Sequence, residues 1–89
     1  MNHIARQLIK IAKELTASPS LYRKLILREL KKLGRTDIDP RHVEAWMRNE
    51  YGTLDGLSKS RFQDEVELSV DIIDADPKES EELARSFGL

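Results

Sequence analysis

Residues 59–77 read KSRFQDEVELSVDIIDADP, and this stretch decides the fold. Its apolar side chains recur every three or four residues, which is the period of an α-helix and not the alternation of a strand. They form two adjacent stripes on the predicted helix: Phe62, Val66, Val70 and Ile73 in the first, and Leu68 and Ile72 in the second. An apolar arc of roughly 200° requires neighbours on two sides. We therefore predict a helix over residues 59–75 at the centre of a helical bundle.

Four further helices are predicted around this one. Two of them begin with an acidic residue followed by proline, at Asp39-Pro40 and Asp76-Pro77, an order that caps the helix and places proline in its first turn. The apolar period and the end signals give the bounds 2–17, 19–33, 40–51 and 77–87. Because no segment alternates with the strand period, we predict an all-α fold, a compact bundle of about five helices with no sheet.

The chain of 89 residues has the length of one domain. We expect residues 1–89 to form a single helical domain around five large side chains: Trp46, Phe62, Val66, Val70 and Ile73. The predicted first helix is amphipathic, and residues 17–20 are the only candidate linker. Residues 1–18 therefore have two alternative arrangements. They cover the core of their own bundle, or they form a separable arm that contacts a partner or pairs two copies as a homodimer.

Several classes of function are disfavoured by what the sequence lacks. Without cysteine, the chain has no disulfide, no thiol nucleophile and no cysteine-ligated metal. Its histidines, His3 and His42, have no further ligands at metal-site spacing, and no nucleophile elbow or glycine-rich phosphate loop occurs. No apolar run approaches the ~20 residues of a membrane span, and no secretory signal opens the sequence. We expect a cytoplasmic protein that is not an enzyme, uses no metal or cofactor and does not bind membranes.

Charge is distributed unevenly along the chain. Residues 1–48 contain 11 Lys and Arg and 5 Asp and Glu, a net charge of +6. Residues 49–89 contain 4 and 11 of these, a net charge of −7, and the two halves sum to the −1 of the whole chain. Either the two halves neutralise each other within the fold, or they present charged surfaces to partners.

An acidic row is predicted on the helix at residues 59–75. Its members follow the spacing i, i+3, i+7 and i+10, which places them on one helix face with no basic residue among them: Asp64, Glu67, Asp71 and Asp74. Three further glutamates extend the negative field: Glu79, Glu81 and Glu82. The row pairs with basic residues inside the fold, stays solvated, or docks on a basic protein surface. We take it as the candidate site for a protein partner.

A basic row suggests a second candidate site. Lys24, Arg28 and Lys31 share one face of the predicted helix at 19–33, and the helix at 40–51 carries further polar side chains expected to point outward: Arg41, Arg48 and Asn49. Two helices joined by a turn, with arginine and asparagine outward, are the outline of a helix-turn-helix. The turn over residues 34–39 is longer than usual for that motif, the pI is about 6.1, and Glu44 lies near the predicted reading face. Nucleic-acid binding is therefore the alternative hypothesis.

Two segments resemble known proteins. Residues 42–89 contain YGTLDGL at 51–57, IDADP at 73–77 and LARSFGL at 83–89, and this pattern resembles a family of small bacterial and phage proteins to which no activity is attached. Residues 4–18, IARQLIKIAKELTAS, are similar to a segment found on assorted phage-encoded proteins. The resemblance implies a cytoplasmic setting in a bacterium or a phage-infected bacterium. No functional residue follows from it.

These observations favour a non-catalytic protein-interaction module. The expected role is that of a phage or mobile-element accessory factor that modulates a host or phage protein. The alternative is a DNA-binding accessory protein that uses the helices at about 21–33 and 40–51.

Overall fold

The computed structural model describes residues 21–89, which form four α-helices and contain no β-strand. In chain order the helices are α1, Leu21–Lys32; α2, Pro40–Tyr51; α3, Lys59–Ala75; and α4, Pro77–Ser86. The all-α class is confirmed for this part of the chain. The predicted helix at 2–17, the linker at 17–20 and the homodimer contact assigned to the first helix lie outside the described residues.

The helices begin at the capping residues of the sequence. The Asp39 carboxylate accepts a hydrogen bond from the backbone N–H of Arg41 at 2.9 Å, and Asp76 accepts one from the N–H of Glu79 at 3.1 Å. Ser58 caps α3 in the same way. These bonds satisfy N–H groups that have no partner within the helix. For α2, α3 and α4 the predicted bounds agree with the observed ones to within one residue.

One hydrophobic core joins the four helices. Its buried side chains among the described residues are Ile26, Leu30, Ile38, Val43, Met47, Leu54, Val66, Val70 and Ile73. Four partly buried side chains pack against this cluster: Tyr22, Trp46, Leu57 and Phe62. Trp46 and Phe62 were predicted at the centre of the core and instead lie at its edge. For Trp46 the reason is its indole N–H, which reaches the Ser80 hydroxyl of α4.

Helix α2, and not α3, occupies the centre of the described bundle. It packs against α1, α3 and α4, and each of these contacts is more extensive than those between the remaining pairs. Val43, Glu44 and Ala45 are all buried, so α2 faces neighbours on several sides. Ala45 was predicted on the outward face but is fully buried. Alanine suits both an exposed and a closely packed helix position, so its identity did not indicate this neighbour.

Helix α3 buries only one of its two apolar stripes. Val66, Val70 and Ile73 lie in the core, whereas Leu68 is 53% and Ile72 40% exposed. No helix within residues 21–89 covers the second stripe. The wide apolar arc therefore marks a surface of the described bundle and not its centre.

Candidate protein-interaction surface

The exposed side of α3 combines apolar and acidic side chains, and we name it the acidic–apolar face. Its members are Asp64, Glu67, Leu68, Asp71 and Ile72, all of them exposed. Successive helical residues are about 100° apart, so Asp64, Leu68 and Ile72 follow one line at four-residue spacing. Asp71 borders this line three residues after Leu68, and Glu67 lies one step further round. Leu68 and Ile72 thus form an aliphatic ridge on this face. Asp64 lies at one end of the ridge, and Asp71 and Glu67 lie along one side of it.

The carboxylates of this face are solvated. Asp64, Glu67 and Asp71 form no ion pair with any residue in the range 21–89. The same holds, within that range, for the basic row on α1: Lys24, Arg28 and Lys31. The two rows do not neutralise each other in the described part of the fold.

Asp74 differs from the other three members of the predicted acidic row. Its carboxylate accepts two hydrogen bonds from the Arg35 guanidinium, at 2.6 Å from Nη2 and 2.8 Å from Nη1. Arg35 also bonds to Asp37 at 3.1 Å. The guanidinium lowers the pKa of both carboxyls because it stabilises their charged forms. Asp74 therefore fastens the end of α3 to the loop between α1 and α2 and is not free to serve a partner.

A groove between α2 and α3 adjoins the acidic–apolar face. Its volume is about 320 Å³. Leu68 and Ile72 form its α3 wall together with Ser69, and the partly buried Trp46 and the exposed Asn49 contribute from α2. The aliphatic ridge therefore continues into a depression with an aromatic wall.

The groove carries a second source of negative charge. Glu65 accepts a hydrogen bond from the Tyr51 hydroxyl at 2.8 Å, and the Arg61 guanidinium lies 3.9 Å from the same carboxylate oxygen. A hydrogen bond with Glu65 raises the pKa of Glu50, and the nearby negative charge adds to the effect. The pKa of Tyr51 is raised by its own hydrogen bond to Glu65. Two carboxyls crowded at one end of an apolar groove favour a cationic occupant.

The six residues of the nucleic-acid hypothesis are dispersed. Three of them form the exposed row on α1. The Arg41 guanidinium is held by Asp39 at 2.6 Å and lowers the pKa of that carboxyl. Arg48 lies 3.8 Å from Glu44, and Asn49 lines the groove between α2 and α3. The structure thus keeps one basic row open and engages both α2 arginines with carboxylates.

A buried charged cluster joins α1 to α2, and sequence reasoning missed it. Glu44 is only 1% exposed, with Oε2 at 3.4 Å from Arg23 Nη2 and Oε1 at 3.8 Å from Arg48 Nη2. Glu44 was predicted near the outward reading face of a helix-turn-helix. The four-residue spacing of Glu44 and Arg48 was the available signal for a pair. Its burial depends on the packing of α1, which no local pattern encodes.

None of the known protein families, curated proteins or solved structures compared with this chain matches it. Within residues 21–89, no three His, Asp or Glu side chains converge in the way a metal ion requires. None of the helices in that range has the length and apolar character needed to cross a membrane.

Proposed function

We propose that this protein is a non-catalytic interaction module that binds a partner protein through the acidic–apolar face and the adjoining groove. The partner surface presents apolar side chains surrounded by basic ones. The observation that carries the proposal is the exposure of Leu68 and Ile72 beside three carboxylates without ion pairs in the described chain. As a setting we propose an accessory factor of a phage or mobile element, acting in the bacterial cytoplasm on a host or phage protein.

The two kinds of side chain contribute differently to such a contact. Burying Leu68 and Ile72 supplies affinity, at roughly 25 cal/mol for each Å² of apolar surface removed from water. The carboxylates orient the partner and accelerate its association, and this contribution weakens as salt screens the charges. Solvated carboxylates on an open helix face favour this role over acid–base catalysis, which benefits from groups enclosed with their substrate.

A synthetic amphipathic peptide of leucine and lysine is the simplest probe of this surface. Trp46, the only tryptophan of the chain, lines the groove and reports binding through its fluorescence. The full chain should bind this peptide, and the affinity should fall as salt is added. A matched peptide of leucine and glutamate should not bind, since it repels the acidic–apolar face.

Charge reversal locates the contact. The double substitution Glu67→Lys with Asp71→Lys should weaken peptide binding by roughly tenfold or more. Its matched control is Glu81→Lys with Glu82→Lys, which changes the net charge equally on exposed residues of α4. If both variants lost the same amount of peptide affinity, binding would depend on net charge alone. The proposal for this face would then be wrong.

The exposed basic row on α1 favours DNA binding as a second candidate function. A gel-shift assay with random duplex at low salt tests it. Substitution of Lys24, Arg28 and Lys31 by alanine should then weaken the complex and reduce its salt dependence. Absence of a complex with the unchanged protein eliminates this candidate.

A further inference from the structure

A second groove lies between α1 and α3, on a side of α3 that does not overlap the acidic–apolar face. We name it the α1–α3 groove, and its volume is about 380 Å³. Its apolar lining comes from both helices and from the loop before α3: Tyr22, Leu25, Leu54, Leu57 and Phe62. Of the helix pairs in contact, α1 and α3 pack least extensively, which leaves this depression open.

The rim of the α1–α3 groove is basic. Arg28 and Lys59 are exposed there and form no ion pair with any other residue of the described chain. Lys32 also lies at the rim and is paired with Glu29 at 3.2 Å. The groove is therefore an apolar depression with two uncompensated cations. These are the features that the acidic–apolar face requires in a partner.

We propose that the acidic–apolar face of one copy docks into the α1–α3 groove of a second copy. This inference rests on the proposed function, because it names a partner for the same face. Leu68 and Ile72, one helical turn apart, enter the groove as two aliphatic knobs. Asp71 and Glu67 then meet the cations at its rim. Charge complementarity and the match of apolar ridge to apolar depression select this occupant.

The geometry of this contact is head-to-tail. The two surfaces use different residues, so after pairing one copy keeps an unused groove and the other keeps an unused face. Heterologous contacts of this kind form rings where the rotation closes and open chains where it does not. The mass should therefore rise beyond that of a dimer as the protein concentration increases.

Sedimentation velocity of the full chain at low salt, over a range of concentrations, tests the proposal. The groove variant is Arg28→Glu with Lys59→Glu, and the face variant is Glu67→Lys with Asp71→Lys. Each should weaken self-association by roughly tenfold or more, because like charges then meet across the contact. All four substitutions in one chain should restore association to within about fivefold, since the charges are exchanged but again complementary. The control variant Glu81→Lys with Glu82→Lys should associate as the unchanged protein does.

Three results would overturn the proposal. The first is a wild-type chain that stays monomeric at every concentration. The second is a failure of the four combined substitutions to restore association. The third is loss of association on Leu8→Ala with Ile11→Ala while the face and groove variants associate normally, which assigns the contact to residues 2–17.

Titration with the leucine–lysine peptide separates this inference from the proposed function. A monomeric protein that binds the peptide contradicts self-association and leaves the proposed function intact. A protein that neither associates nor binds the peptide contradicts both. If both hold, the peptide should dissociate the assemblies, because it competes for the acidic–apolar face.

Discussion

Glu44 is a charged residue at a buried position. A carboxylate removed from water loses its hydration, and only close positive partners offset that loss. Arg23 from α1 and Arg48 from its own helix provide them, and both arginine side chains are mostly buried. The cluster therefore links α1 to α2 through a carboxylate that is almost completely buried.

Removing the Glu44 carboxylate should destabilise the fold. We expect Glu44→Ala to lower the free energy of unfolding by about 1–3 kcal/mol, because it leaves two arginines without this partner at a buried position. Urea unfolding followed by Trp46 fluorescence measures the change. Glu82→Ala on the exposed side of α4 is the control and should alter the stability by less than about 0.5 kcal/mol. An unchanged stability of the Glu44 variant would show that the cluster does not hold α1 in place.

Ser80 provides a second residue-scale test. Its buried hydroxyl accepts a hydrogen bond from the Trp46 indole at 2.8 Å and donates one to the Asp76 carbonyl at 2.8 Å. Ser80→Ala should cost about 1 kcal/mol, because the indole N–H loses its acceptor. It should also shift the Trp46 emission. Thermal unfolding and the emission spectrum measure both effects, and an unaltered spectrum would place the indole elsewhere.

Glu50 should make the stability fall as the pH rises. Because Glu65 raises the pKa of Glu50 above its ordinary value of 4.5, the folded chain holds this proton more tightly than the unfolded chain. The folded state is therefore penalised once the pH exceeds the raised pKa, and the penalty is absent below 4.5. We expect Glu50→Gln to raise the melting temperature at pH 7, with the gain shrinking towards pH 4. A gain that stays constant from pH 7 to pH 4 would contradict this role of Glu50.

At the scale of the element, capping residues explain where the helices begin. The start of α2 combines the Asp39 cap with proline in the first turn. A capping hydrogen bond joins residues only two or three positions apart in the chain. The sequence therefore predicts it before any tertiary contact is known. For this reason the predicted bounds of α2, α3 and α4 agree closely with the observed bounds.

The cap of α2 can be tested directly. Asp39→Ala should lower the stability by about 1 kcal/mol, because the backbone N–H of Arg41 loses its acceptor. Since Arg41 lowers the pKa of Asp39, this carboxylate stabilises the wild type above its ordinary pKa of 3.8, and the contribution is lost as the pH falls below that value. The wild type and the variant should therefore converge in acid. A constant difference in unfolding free energy from pH 7 to pH 2 would contradict this role.

The faces of the helices were less predictable than their ends. The pattern identified Val66, Val70 and Ile73 as buried, because they repeat at helical spacing. It could not show that Leu68 and Ile72 stay exposed. Periodicity predicts which residues lie on the same face of a helix, but it does not predict whether another helix packs against that face. Exposed apolar side chains on α3 are therefore a product of the tertiary arrangement.

At the scale of the whole molecule, charge and apolar area define the surfaces. The sequence identified a basic and an acidic half, but pairing between them depends on how the helices are placed. The structure links them through Arg35 and Asp74 and leaves three carboxylates of α3 solvated. The candidate site was thus predicted as an acidic row, whereas its aliphatic ridge and its groove emerged only from the fold.

The proposed function requires that the aliphatic ridge and the carboxylates of α3 act as one binding surface. The most direct measurement is the affinity of the leucine–lysine peptide for the double variant Leu68→Ser with Ile72→Ser, followed by Trp46 fluorescence. Because neither side chain belongs to the buried core, the variant should still fold, and it should bind the peptide roughly tenfold more weakly or worse. A variant that binds the peptide as tightly as the wild type would contradict the claim, because binding would then depend on the carboxylates alone.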